Sequence, residues 1–349
     1  MTPALRIISP GLSTTVQDVG RTGYQRLGVS LGGALDQVSL HAANALVGNP
    51  CNAGALEALY VGPSFAIEAE DVRLSFAGAD AMIEIFADAD ADADSSETIR
   101  PMQSIHLRRG QVVRIGSLKN GTTLYIAVEG GFDIAPVLGS VSTDSRGKIG
   151  GWQGRPLIAG DVLPLRHATA TERNEYRIEG LDLSAPGRFR AVPGPQSDYF
   201  SDDEIERFFA SEYTVGAGSN RMGMQLKGRP IQHRRGFNIV SDAIATGSIQ
   251  IPGSGLPIVL LADHQTTGGY PKIATVISAD LPALGRLPIG SRISFAPVTL
   301  QEAAAARRQL AANLEGIGGK MVPIRPAPAT VETRLLECNL ISGVYDAAA

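Results

Sequence analysis

The chain has 349 residues, 44% of them hydrophobic, with 31 Lys and Arg against 35 Asp and Glu for a net charge of −4. That length supplies core for two ordinary domains, while the absence of a basic run gives no footprint for nucleic acid. Met1 to Val16 has no charged segment leading into an apolar one, and no apolar run approaches the ~20 residues of a membrane span. The expected location is therefore cytoplasmic, with neither a membrane nor a nucleic acid as partner.

Along the chain, short strands between turns dominate, in keeping with 40 glycines. "FAIEAEDVRLSFAGAD" puts Phe65 and Ile67, then Val72, Leu74 and Phe76, on alternating positions, and "QVVRIG" and "TLYIAVEGG" continue the habit. Such spacing favours a barrel or sandwich over βαβ units. Three helices have marked ends. The first is capped by Asp36 and runs through "QVSLHAANALV" to Gly48, Asn49 and Pro50. The second opens on a Ser201/Glu204 capping box with Phe200 and Ile205 as staple, and the third on Thr299/Glu302, running to Gly316. A boundary is expected between Leu165 and Gly187. It divides the chain into residues 1–180, 181–300 and a helix with tail at 301–349. Similar endings of the halves, and a Thr-Thr pair ahead of a Gly-Tyr in each, suggest duplication. The glycine- and proline-rich tail after Gly316 reads as a surface segment.

The run "ADADADADSSE", residues 87–97, lacks the glycine and final glutamate of a calcium loop and reads as a solvated acidic loop. Cys51 and Cys338 form no Cys-x-x-Cys pair, and the five histidines show no ligand spacing, so no metal centre is expected. "STTVQDVGRTGYQRLGVSLGGALDQ" lacks the ending of a phosphate loop. The densest polar stretch is Ile239 to Val276. There Ser241, Asp242, Gln250, Asp263, Gln265, Thr266, Thr267 and Lys272 sit at or near strand ends, where barrels place binding loops. A lysine beside a partly buried carboxylate can stabilise developing negative charge, and hydroxyl and amide groups can orient an amide substrate. "HQTTGGYPKIATV" also reads as an ordinary glycine-rich hairpin with its lysine outward. Arg221, in "GSNRMGMQLKG", reads as a surface ion-pair member or as an anion ligand.

These segments together resemble the allophanate hydrolase subunit 2 family. It includes the C subunit of bacterial 5-oxoprolinase, a Kip-type antagonist of a sporulation kinase inhibitor, and the carboxyltransferase region of urea carboxylase. The motifs are "TTVQDVGRTGYQ", "GALDQVSLHAANALVGNP", "ALEALYVGP", "FRAVPGPQSDYF", "SNRMGMQLKG" and "GSIQIPGSGLPIVLLADHQTTGGYPKIATVISADL". The resemblance covers nearly the whole chain to about Leu300. It implies a mainly β fold of two tandem cyclophilin-like β-barrels with a few short helices, a C-terminal helix and a tail.

The resemblance further implies a B-type partner subunit of related fold, ATP (Mg-ATP) used by the complex to activate the lactam of 5-oxoproline, and an A-type subunit that finishes hydrolysis to glutamate. Its pocket motif falls on Ser241, Asp242, Gln250, Asp263, Gln265, Thr266, Thr267 and Lys272. On it, Lys272 is expected to stabilise charge and Asp263 to orient that lysine or the substrate amide. Relatives often carry Gly where this chain has Ala243. With no biotin attachment motif, no biotin carboxylase region and no amidase region, the chain best fits a 5-oxoprolinase C subunit. A subunit for carboxyl transfer to urea or another amide, and a non-catalytic Kip-type regulator, are the alternatives.

Overall fold

The computed structural model of the chain describes residues 2–88 and 96–324. Most of the acidic run, residues 89–95, and the chain from 325 on, with Cys338, lie outside the described residues. The fold is mainly β, as expected. In the first half the strands Ala4–Ser9, Ser64–Ile67, Val112–Ile115 and Ile83–Phe86 form the centre of a six-stranded sheet. A seven-stranded sheet faces it, with Ala55–Leu59, Lys119–Val128, Asp71–Asp80 and Gln103–Arg108 as consecutive neighbours. Leu5, Ile7, Phe65, Ile67 and Val113 from one sheet meet Val72, Leu74, Phe76, Leu124 and Ile126 from the other in a single core. The alternating positions read from the sequence are thus the inward ones.

The other face of Asp71–Asp80 is buried as well. Helix α1, Gln37–Leu46, lies across it, and its small residues allow close approach: Ser75 Oγ donates to Ala43 O at 2.6 Å, and Leu40, Ala43 and Leu46 pack on Ala77, Tyr125 and Ala127. Asp36 caps α1 through the amides of Val38 and Ser39 at 3.0 and 3.2 Å, and Gly48 follows the helix with φ +70°, which glycine adopts without strain.

The second half is a closed barrel. Around it run Phe189–Pro193, Lys272–Val276, Ser248–Gln250, Ile258–Leu260, Gly223–Lys227, Glu212–Val215 and Arg292–Pro297. A parallel pairing of the first and last closes the ring. Aromatic packing fills it: the rings of Phe208 and Phe295 stack with centroids 5.1 Å apart. Helix α2, Asp202–Ala210, begins at Ser201 as expected, but only half of the capping box forms, because Glu204 turns to Arg207 (2.8 Å) and to the amide of Gln232 (3.1 Å). A five-residue helix, α3 (Leu281–Gly285), had no sequence signal, while α4 (Leu300–Glu315) carries the full Thr299/Glu302 box.

Residues 165–187 are held by the first half up to Ile178. Strand Tyr176–Ile178 joins the seven-stranded sheet, and Glu175 and Glu129 take opposite sides of the buried Arg73. The start of the tail is a correction to the surface reading. Ile317 is buried against α1, and Met321–Pro323 pairs with Tyr176–Ile178 as the sheet's last strand. The two halves meet closely. Thr122 N donates to Arg286 O and Gly32 N to Ala262 O, each at 3.0 Å, and the buried Asp36 and Arg286 pair at 2.9 Å. A Cβ on Gly285 would sit 2.4 Å from Leu35 O, so only glycine permits this approach. No helix among the described residues is long and apolar enough to cross a membrane.

Candidate active site

The polar residues read from Ile239 to Val276 separate into two groups on either side of the 264–271 loop. The first surrounds Lys272, the opening residue of a barrel strand, set opposite Gln250 across the ladder. Its side chain is 3% exposed, and its Nζ donates to Asp242 Oδ2 at 2.7 Å and Ala243 O at 3.2 Å. It is not the outward-facing lysine of a simple hairpin. Asp242 is held by a two-residue ladder in which Asp242–Ala243 pairs with Thr267–Gly268. Gln196 completes the cluster, donating Nε2 to Asp242 at 3.1 Å while its Oε1 accepts the Lys272 amide at 3.2 Å. The Lys272 hydrogen bond, helped by the Ala243 amide and Gln196, holds the Asp242 carboxyl below the usual carboxylate range. Beside it Gln250 is buried with Nε2 unpartnered. Ser241 is exposed next to Asp242.

The second group is built on Arg221. The guanidinium takes Asp263 bidentately, Nε to Oδ2 at 2.8 Å and Nη2 to Oδ1 at 2.9 Å, and donates to Gly33 O at 2.7 Å. Its Nη1 pairs with Glu57, a fully buried carboxylate that also accepts from Tyr125 Oη and, at 2.8 Å, from Leu35 N. Burial opposes the charge, but Asp263 and Glu57 outweigh it and raise the Arg221 pKa. Burial, Glu57 and Asp36 likewise push the Tyr125 phenol well up. Arg221 is therefore no surface ion-pair member but a buried tie between the halves. Asp263 does not orient Lys272, because both its oxygens are engaged by Arg221 and Asp242 stands beside the lysine instead.

Asp263, Gln265, Thr266 and Thr267 line one wall of a cleft of about 340 Å³, faced by Gly28, Ser30 and Asp144 of the first half. Ser30 Oγ donates to Asp144 Oδ2 at 2.8 Å. The root of the loop is fixed by His264, which is buried, bonds the Gln265 carbonyl through Nδ1 at 2.6 Å and contacts Thr246 Oγ1 through Nε2 at 3.0 Å. Burial lowers its pKa. A Cβ on Gly268 would lie 2.6 Å from Gln250 Nε2 and 2.7 Å from Ile244 Cδ1, so a larger residue there would have to displace the ends of those two side chains.

A family model described as "Carboxyltransferase domain, subdomain A and B" matches residues 27–297. The chain belongs to this carboxyltransferase-domain family. It is 37% identical over 306 residues to the C subunit of 5-oxoprolinase from Escherichia coli, covering 87% of this chain and 94% of that protein. To the C subunit of the Haemophilus influenzae 5-oxoprolinase it is 38% identical over 298 residues, covering 84% and 91%. The crystal structure of the K. lactis urea amidolyase superposes with a TM-score of 0.80 at 26% identity, over 94% of this chain and 21% of that one.

Within this family member, the groups that sequence reasoning missed are Gln196, Glu57, Tyr125 and His264. Glu57 had a readable signal: in "ALEAL" it is the only charged residue of an apolar strand, and such a charge requires a partner. Gln196 lies in "FRAVPGPQSDYF", where no spacing marks it as a site residue.

Proposed function

We propose that the chain is the C subunit of an ATP-dependent 5-oxoprolinase. In this reading it acts with a B-type subunit of related fold to activate the lactam of 5-oxoproline, and an A-type subunit finishes hydrolysis to glutamate. The observation that carries this is similarity: the chain is 37% identical to the E. coli 5-oxoprolinase C subunit over 306 residues and 26% identical to the K. lactis urea amidolyase.

The chemistry of the Lys272 cluster supports the same reading. An ammonium offers three N–H donors. Asp242 and the Ala243 carbonyl take two, leaving one for the oxygen of an amide as negative charge builds on it. Gln250 Nε2, buried and unpartnered, offers a second donor. Ser241 is exposed beside Asp242, and Gln265, Thr266 and Thr267 supply polar groups to the separate cleft on the other side of the loop. Arg221 and Asp263 act by holding the halves and the loop in place.

Around the open side, Val240, 92% exposed, and the half-exposed Phe237 and Tyr270 form an apolar rim. A B-type subunit seated on this rim would exclude water from Lys272 and complete the site. ATP is consumed at the level of the complex, and no biotin is carried on this chain. The family's description favours a second reading, carboxyl transfer to a small amide, in which Lys272 would meet the same developing charge.

The test is ATP-dependent glutamate formation from 5-oxoproline by this chain with its B and A partners, omitting each in turn, and with Lys272→Met. Activity should require this chain and fall about 10²-fold or more in the variant, the usual loss of one charge-stabilising donor. A full mixture that assembles but forms no glutamate would refute the 5-oxoprolinase assignment. Unchanged turnover in Lys272→Met would refute the role of the lysine.

A further inference from the structure

A second cleft lies away from these residues and is lined only by the first half. It has a volume of about 560 Å³, within the range of small-molecule sites, and opens between the end of α1, the Glu129–Gly131 turn and the 166–173 segment. Its wall is apolar along Val47, Phe132 and Ile134.

The polar groups on the wall are unequal in what they have left to offer. Both carboxylates are saturated from within. Asp18 accepts from the amides of Gly20 (2.8 Å) and Val141 (2.7 Å) and from the hydroxyls of Ser140 and Ser142 (2.6 and 2.5 Å). Glu129 accepts from Arg73 and from the amide and hydroxyl of Thr171. Asn49 is likewise spent, on Val128 O, Asn44 and the Gly130 amide. What remains are donors and positive charge. Arg173, which lines the cleft, gives one nitrogen to Leu46 O and forms an ion pair with Glu129 at 4.0 Å. The side chains of Arg166 and His167 are exposed at the rim, and no partner takes them among the described residues. With its carboxylates engaged and arginine side chains at its mouth, the wall favours an occupant bringing acceptors and negative charge.

We propose that this cleft binds an organic monoanion, a carboxylate joined to an apolar body. The carboxylate would lie toward Arg166, His167 and Arg173, and the body against Val47, Phe132 and Ile134. The site is separate from the Lys272 cluster and does not depend on the function proposed for it.

The probe is 4-phenylbutyrate, titrated calorimetrically into the full chain, with 4-phenylbutan-1-ol as its uncharged counterpart. The acid should bind once per chain, and the alcohol at least tenfold more weakly. Arg166→Glu, at an exposed side chain, should weaken the acid at least tenfold. Ala53→Phe should fill the cleft and abolish binding of both. Circular dichroism reports whether each variant folds, and should Ala53→Phe not fold, the Arg166→Glu and alcohol comparisons decide. No binding of the acid at millimolar concentration, equal affinity for acid and alcohol, or wild-type affinity in a folded variant would overturn the proposal.

Discussion

Replacing Arg221 by Met removes the charge but keeps much of the apolar stem, so it isolates the tie between the halves. The guanidinium makes four hydrogen bonds, two to Asp263 and one each to Glu57 and Gly33 O. Breaking a buried pair by deleting one partner costs about 3–5 kcal/mol, most of it from the charge left behind. Here the stranded charge is Glu57, 0% exposed, which still accepts from Tyr125 Oη and Leu35 N, while Asp263, 12% exposed, can reach water. These residual contacts place the expected loss near the lower end, about 3 kcal/mol. Urea unfolding followed by circular dichroism measures it. The double variant Glu57→Gln/Arg221→Met strands no charge at that position and should lose less than Arg221→Met alone, about 1–2 kcal/mol. A single variant within ~0.5 kcal/mol of wild type, or a double variant less stable than the single, would refute the account of Arg221 as a buried counter-ion.

Gly268→Ala would force a Cβ against Gln250 and Ile244 and should cost about 1–3 kcal/mol of stability, read by thermal unfolding; a neutral effect would show that the loop has room. Asp161 is held below its usual range, first by Arg155, which takes it at 2.8 Å with both Nη atoms, and then by the Ile158 amide. A depressed carboxyl stabilises the fold above its unfolded value of about 3.9 and loses that contribution as pH falls through the lower folded value. Asp161→Asn should therefore flatten the acid limb of the urea midpoint below about pH 4. His264, kept neutral by burial, has the same sign at higher pH: stability is full above about 6.5 and declines as pH drops through its lowered folded value. The His264→Gln variant should lack this decline below about pH 6.5; equal slopes in the two proteins would exclude His264 as its source.

What the sequence revealed depended on how local each determinant is. The caps at Asp36, Ser201 and Thr299 were legible because the bonds that make them span two or three residues. The reciprocal half of the Ser201 box was not, since Glu204 is drawn away by Gln232, 28 residues on. Alternation identified the inward face of Asp71–Asp80, but α1 on the opposite face leaves no mark within the strand itself. Helix α3, at five residues, is too short to show a period. In the candidate site, the residue types were readable and the pairings were not. Asp263, nine positions from Lys272, is the residue that the resemblance sets to orient that lysine or the substrate amide, yet the chain turns through 264–271 and brings Asp242, 30 positions back, to the lysine. Arg221 finds Glu57 from 164 positions away, across the meeting of the halves. A carboxylate in an apolar strand and an arginine in a glycine-rich turn each state in sequence that a counter-charge is required. Only the closure of the barrel against the first half selects which one, so a change at Glu57 or Arg221 tests the assembly of the two halves as much as either side chain.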